Sequence, residues 1–442
     1  EVDQRRVNLT RFPLFFPEKR DFFLEGAGIF QYAPSSNVHP FFSRRIGLVG
    51  GEPIPIRFGG RMTGRAGPYQ IGFYQVQTGD TETRQPEDFT AARLKRDVLS
   101  ESTAGLVFTR RSTHAGPGVP EELQPRYTFG GDFEYGTSTF LGDKNLQFQA
   151  FFVSHNRALE TASSTLFDRT ARGVRYRFAN EPWDLSASYR EYGSSWDPAV
   201  GFAARNGYRR FQPSHWYRPL LSSSDWIRRL LFRYRFEYLM DLDFRPMDVV
   251  NRFRPVGVEF ETGDEIAFEF AKNFQRLDRP FDIKRDGSII VPPGRYHEWV
   301  WGVEAESAGY RRIAAQAELT GGEFWSGTRT ELAAQLSVRP WPGVNVSGFW
   351  RYSDVNLAEG AFDTHLLRMN TDLDLTTEFF YSLLVQYDNL SEQVGLFSRI
   401  RWILKPGSDL YLVYNHNWRR TPEALVSLES QADLKLTYTY RF

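Results

Sequence analysis

Residues Gln431 to Phe442 read QADLKLTYTYRF, and their alternation decides the fold. One face of this stretch carries Ala432, Leu434, Leu436, Tyr438, Tyr440 and Phe442; the other carries Gln431, Asp433, Lys435, Thr437, Thr439 and Arg441. Successive side chains of a strand point to opposite faces, so a two-residue period separates an apolar surface from a polar one. Upstream, Val174, Tyr176 and Phe178 stand against Arg175 and Arg177, and Phe232, Tyr234, Phe236 and Tyr238 against Arg233, Arg235 and Glu237. Leu332, Ala334, Leu336 and Val338 oppose Glu331, Gln335, Ser337 and Arg339; Leu367, Met369, Thr371, Leu373 and Leu375 oppose Arg368, Asn370, Asp372 and Asp374. Such stretches run for about 9 to 14 residues, the length a tilted strand needs to cross a bilayer.

Composition agrees with strands that face lipid on one side and water on the other. Aromatics make up 16% of the 442 residues, yet the mean hydropathy is −0.46. No run approaches the roughly 18 apolar residues that a transmembrane helix needs. The 54 basic and 54 acidic side chains cancel, so no global field points toward nucleic acid. Cysteine is absent, which removes disulfides and thiolate metal sites. A soluble β-sandwich also alternates. Against it stand the alternation sustained along nearly the whole chain, the aromatic strand ends and the terminal aromatic that completes a strand.

These readings predict an all-β transmembrane antiparallel barrel over residues 41–442, with about 22 strands in a range of about 20 to 24, in a bacterial outer membrane. Tight links at Lys405 to Asp409, Trp341 to Gly343, Thr262 to Asp264 and Arg65 to Pro68 are expected on the periplasmic side, together with both termini. Longer links at Gln275 to Gly294, Arg111 to Pro125, Thr421 to Ser430 and Asn156 to Leu166 are expected outside. The first strand, around Phe41 to Leu48, and the region from Trp196 to Pro219 alternate least clearly. Residue 1 opens on EVDQRR without the marks of a signal peptide, so the numbering is expected to begin on a processed or truncated chain.

Residues 1 to about 40 do not alternate. They mix Phe16, Pro17, Glu18, Lys19, Arg20, Phe22 and Phe23 with further aromatics and prolines. A segment so apolar needs something to pack on, and irregular backbone at membrane depth is tolerated only inside protein. It is expected to plug or collar the periplasmic side of the barrel, the alternative being an interdomain linker.

The run FPEKRDFFLEG (Phe16 to Gly26), followed by FFSRRIG (Phe41 to Gly47) and RLKRDVLSESTAGLVFTRR (Arg93 to Arg111), resembles a bacterial outer-membrane barrel family classed as a domain of unknown function. The resemblance covers the whole chain; a proline is common in that family where this sequence has Asp21. It implies an upstream periplasmic domain similar to family nine carbohydrate-binding modules, and no activity for the residues here. Any sugar binding or glycoside hydrolysis that the resemblance implies would lie in that upstream domain.

The seven histidines, His39, His114, His155, His215, His297, His365 and His416, have no metal-ligand spacing, and no cofactor or metal is expected. Asp282 to Ser288 and Thr78 to Glu82 carry oxygen ligands in an order that turn chemistry explains. On the polar parity, Arg175, Arg177, Arg233, Arg235, Arg368, Arg399 and Arg401 mix with Asp372 and Asp374, and Arg351 with Glu237 and Glu331. Both signs occur, so ion pairs bracing a polar interior compete with a solute path. Trp350, Tyr352, Trp402, Tyr414, Trp418, Tyr438 and Tyr440 suit interfacial girdles, with a sugar-stacking platform as the alternative. Tyr438, Tyr440 and Phe442 resemble the signal read by the outer-membrane assembly machinery.

The expected function is a transport pore for small solutes or saccharides, plugged by the N-terminal segment; a structural anchor or assembly subunit is the alternative. A barrel-borne hydrolase, with a nucleophile and base converging at the rim, is the second alternative, and no enzyme is expected. Expected partners are outer-membrane lipid and lipopolysaccharide, the assembly machinery, the upstream carbohydrate-binding domain and other outer-membrane or surface proteins, with no nucleic acid.

Overall fold

The computed structural model describes residues 3–33, 38–49, 52–82, 84–113, 125–156 and 165–438. Among the described residues the hydrogen-bonded strand order runs from Ile56–Ala66 to Leu425–Thr437 and closes on itself as a barrel of 22 strands, with Ile227–Leu230 and Phe232–Asp241 counted separately. The register keeps apolar residues together: Leu332 pairs with Tyr352, Trp350 with Leu367, and Met369 with Val385. That face stays exposed, with Leu106, Phe129, Trp299, Leu336, Trp350, Trp402, Tyr414 and Tyr438 all bare. Apolar patches this extensive are not carried by a water-soluble surface and meet lipid here. Among the described residues no helix is long and apolar enough to cross a membrane.

The chain divides into two compact bodies, the first holding residues 12–216 and 235–250, the second residues 2–11, 217–234 and 251–442. In the first, short connections at 67–68, 99–101, 141–143 and 181–182 define one end of the wall, and longer ones at 79–86, 114–125, 156–169 and 193–207 the other. In the second, 261–264, 339–343, 375–378 and 406–407 share an end with Thr437, which pairs with Asp409 beside the 406–407 turn. Its opposite end carries the long link 278–293 but also two-residue hairpins at 325–326 and 358–359. The expected asymmetry of loop length therefore holds in the first body except at the four-residue link 242–245, and in the second only at 278–293.

Three expectations need correction. Phe41 to Leu48 is not a wall strand: Ser43–Arg45 forms one 3-10 turn, Leu48–Val49 pairs with Glu52–Pro53 in a separate two-stranded sheet, and the wall begins at Ile56. The reason is burial, because Phe41 stacks on Tyr74 at 5.4 Å and Ile46 is wholly buried, so these apolar residues serve the interior rather than a lipid face. Within Trp196 to Pro219 only Tyr208–Tyr217 is strand, and Trp196 and Val200 are buried in the loop before it. The N-terminal segment also lies at the other end of the wall from the one expected. Ile56 pairs with Thr78 at the long-loop end of the first body. In the second body Arg5 meets Asp388 and Ser391, at the end opposite Thr437. The even strand count had placed both termini together, but Ile227–Leu230 and Phe232–Asp241 are separated only by Leu231 and form a single passage.

Candidate functional site

In the first body the N-terminal segment packs on the polar-parity face of the wall, at its long-loop half. Phe23, Phe30 and Ile46 bury against Tyr74 and Val76 of Tyr69–Thr78 and against Phe89 and Ala91 of Glu87–Val98. Tyr32, Ala33 and Val38 bury against Val107, Phe151, Val153, Ala171 and Tyr192. Burying one such aromatic stabilises by about 1.5 to 3 kcal/mol. Two wall groups are matched to the segment. Gly72 leaves room for Phe30, since a Cβ there would lie 2.6 Å from Phe30 Cζ. Arg93, with no side-chain exposure, pairs with Asp132 at 2.7 Å, donates to the Gln31 carbonyl at 3.1 Å and lies 5.3 Å from the Tyr32 ring centre. Asp132 in turn accepts the Ala33 N–H, and the Tyr32 hydroxyl donates to the Gly131 and Phe152 carbonyls.

The expected plug residues divide their work within this arrangement. Glu18 accepts from Arg20 Nη2 at 2.7 Å, from the Ser43 hydroxyl at 2.7 Å and from the Lys19 N–H at 3.0 Å. Burial alone would raise its pKa, but the bonds from Arg20 and Ser43 prevail and hold it at about 2. Arg20 also donates to the Ile46 and Ser43 carbonyls and covers the Phe23 ring at 4.4 Å. Arg44 caps the Phe16 ring and donates to the Pro17 carbonyl, while Phe22 stays exposed with its ring edge on Tyr74. Phe15, Pro17, Phe30, Phe41 and Phe42 help to line a cavity of about 340 Å³ within the segment. His39 borders it, stacked on Phe15 at 5.0 Å, and burial lowers its pKa, so the ring is neutral.

In the second body residues 3–11 are held by a different device. The Arg5 guanidinium donates through Nη1 to Asp388 and Ser391, each at 3.1 Å, and through Nη2 to Gln393 at 2.8 Å and Asn417 at 3.4 Å. Its backbone N–H donates to Gln386, which returns a bond to the Asp3 carbonyl. Leu9 completes a buried cluster with Leu277, Ile283, Val291, Trp325 and Val355, and Arg11 donates to the Arg276 carbonyl at 2.7 Å.

The charges expected in the interior are largely braced. Arg177 pairs with Asp184 at 2.8 Å, Arg235 with Glu237 at 3.3 Å, and Arg401 with Asp409 at 3.2 Å. Glu237 also binds Arg210, and Arg351 pairs with Glu331. Arg368 lies 4.2 Å over Phe349 and bonds Gln4, which ties one of these arginines to the N-terminal segment. Arg175 stands opposite Gln149 and Ser188, Arg399 opposite Ser382, Asp372 opposite Asn345 and Ser382, and Asp374 opposite Phe380. Arg233 keeps the polar parity of Phe232–Asp241.

With that geometry in view, known proteins give a narrow answer. A family described as "Domain of unknown function (DUF5916)" matches residues 1–55. The match covers the N-terminal segment with its FPEKRDFFLEG run and stops where the wall begins. No curated protein matches. Among solved structures, two mutant forms of the ferric enterobactin receptor of Pseudomonas aeruginosa align with 86% of this chain and 71% of theirs. They do so at 8% and 9% identity, with TM-scores of 0.38 and 0.36.

Sequence reasoning missed Arg5, Arg93, Asp132 and Arg254, the last bound to Glu265, Glu269 and Glu304 at 2.8 Å each. The polar parity of Arg93 and Asp132 was a usable signal; nothing local marks Arg5. In the two acidic stretches, Asp282 accepts the Arg285 and Gly287 N–H groups, Asp286 accepts from Ser288, and Asp80 pairs with Arg57. These are turn and ion-pair contacts. On the outer face His416 lies 2.8 Å from the Ser427 hydroxyl and 2.7 Å from the Tyr414 hydroxyl, its ring stacked on Trp418 at 3.8 Å. That places a serine and a histidine together on this face, with a phenol in the third position where a hydrolase would use an acid or amide. Tyr438 caps Lys405, while Tyr440 and Phe442 lie outside the described residues.

Proposed function

We propose that the protein is an outer-membrane transport pore for small solutes or saccharides whose lumen is closed by its own residues 3–33 and 38–46. The observation that carries this reading is the double attachment of the segment. A fork of hydrogen bonds fixes Arg5, and aromatic packing fixes Phe23, Phe30 and Tyr32, each on the polar-parity face of the wall. A barrel of this strand number encloses more space than wall side chains fill, so an internal segment has a lumen to occupy. With the tight-turn end in the periplasm, the segment closes the outer mouth. A periplasmic saccharide-binding domain upstream of Glu1 would then reach residue 3 only through the lumen. The surrounding partners are outer-membrane lipid and lipopolysaccharide, and the assembly machinery that reads the C-terminal residues. The reading assigns no catalysis to the Ser427 and His416 pair.

Single-channel conductance in a planar bilayer tests it, with the full chain compared against a chain lacking residues 1–46. A closed full chain and a conducting deletion support the pore. Silence of both, with a folded barrel by circular dichroism, refutes it and favours the reading as an anchor or assembly subunit.

A further inference from the structure

The outer, lipid-facing side of the first body is not evenly covered. A hollow of about 810 Å³ opens on it, and a second of about 730 Å³ adjoins, sharing Leu94, Leu106, Gly131 and Phe152. The cause is a checkerboard of sizes across neighbouring strands. Ala104 pairs with Phe133, Gly131 with Leu106 and Phe152, and Ala150 with Phe133 and Val174. Small residues form the floor and large ones the ridges.

At the long-loop end this apolar hollow meets charge. Arg172 lines it and pairs with Phe152 in register on one side and Glu191 on the other. Glu191 accepts from Arg172 Nη2 at 2.5 Å, from Arg209 Nε at 3.0 Å and from the Tyr189 hydroxyl at 3.3 Å. Both guanidinium planes are fixed over rings, Arg172 at 4.5 Å from Phe167 and Arg209 at 4.1 Å from Phe244. Two arginines thus share one carboxylate, a net positive group beside an apolar surface, whose remaining donors reach, among the described residues, only the neutral Leu242 carbonyl and Thr170 hydroxyl. A charge left there is costly without an anion. Arginine forks held rigidly by aromatic faces suit phosphate oxygens in particular.

We propose that this is a seat for a phosphorylated, multiply acylated glycolipid of the lipid A type, with a phosphate at Arg172 and Arg209 and an acyl chain in the hollow below. The long-loop end is the one expected to face outside, which places the charge in the leaflet where such lipids lie. Charge and hollow are continuous, so one amphipathic molecule meets both.

The test uses the full chain in detergent and measures affinity for lipid A, for lipid A stripped of its phosphates, and for inorganic phosphate. Arg172→Ala with Arg209→Ala removes the charge; Ala150→Trp fills the hollow and leaves the charge untouched. Tight binding of lipid A is expected, weakened at least about tenfold by either variant and by loss of the phosphates, with inorganic phosphate not binding alone. Equal affinity for the dephosphorylated lipid overturns the proposal. So does wild-type affinity in either variant that retains its heat-modifiable barrel, or displacement of lipid by a second copy of the chain docked on this face. If the double arginine variant fails to fold, Ala150→Trp decides alone.

Discussion

Replacing Arg5 by alanine probes the closure most directly. Its guanidinium gives up four hydrogen bonds, to Asp388, Ser391, Gln393 and Asn417, and Asp388 loses its cationic partner. Breaking a buried ion pair on one side costs about 3 to 5 kcal/mol. The side chains of Arg5 and Asp388 are 19% and 11% exposed, and Asp388 keeps its bonds from Ser391, so the lower end, about 3 kcal/mol, applies. At 1.4 kcal/mol per decade the released population of residues 3–11 rises roughly 100-fold. Two assays follow it: tryptic cleavage after Arg11, whose rate tracks the released fraction when reclosing is fast, and the open probability in a planar bilayer. Lysine at position 5 keeps the charge but not the fork, and restores only part of the loss. Wild-type cleavage and wild-type open probability in a folded R5A barrel would refute the clamp.

Acid loosens the first body's share of the segment. Glu18 falls from its ordinary 4.5 to about 2 when folded, so its contribution is complete above pH 4.5 and is lost as pH drops from there toward 2. Protease protection of residues 12–46 should decline over that window in the wild type and show no such step in Glu18→Gln. Gly72→Val drives a side chain into Phe30 and should cost about 1 to 3 kcal/mol of barrel stability in urea, whereas Gly64→Ala, with nothing within 4 Å of its Cβ, should be silent. Asp132→Ala strands the fully buried Arg93 and should cost about 3 to 5 kcal/mol. The paired change of Arg93 and Asp132 to leucine should cost less than that single change, read from unfolding midpoints.

What the sequence made legible follows from period. Where one face meets lipid and the other does not, alternation survives, as from Leu367 to Leu375 and from Ala432 to Tyr438, and parity alone assigns Trp350 outward and Arg401 inward. Where a stretch is buried on both sides, alternation is lost: Phe41 and Ile46 look like a strand beginning, yet serve the same interior cluster as Phe30. Charge pairing was legible when partners share parity on adjacent strands, as with Arg351 and Glu331. It was not legible for Arg5, whose partners lie more than 380 residues away. The end of the wall that holds the segment was misjudged because the even count put both termini at one end, and pattern alone does not show that Ile227–Leu230 and Phe232–Asp241 make one passage.

That distance in sequence bears on how the molecule is made. Phe23 and Phe30 find their wall strands among the first hundred residues, whereas Arg5 has no seat until the chain beyond Asp388 has been delivered and Asn417 has joined the sheet. The segment is therefore held by one set of contacts near in sequence and by another that spans nearly the whole chain. Loop closure over such a span is slow and comes late. Seating of Arg5 thus requires the final strands to be in place, so a firmly held amino terminus reports that the far end of the chain has joined the wall.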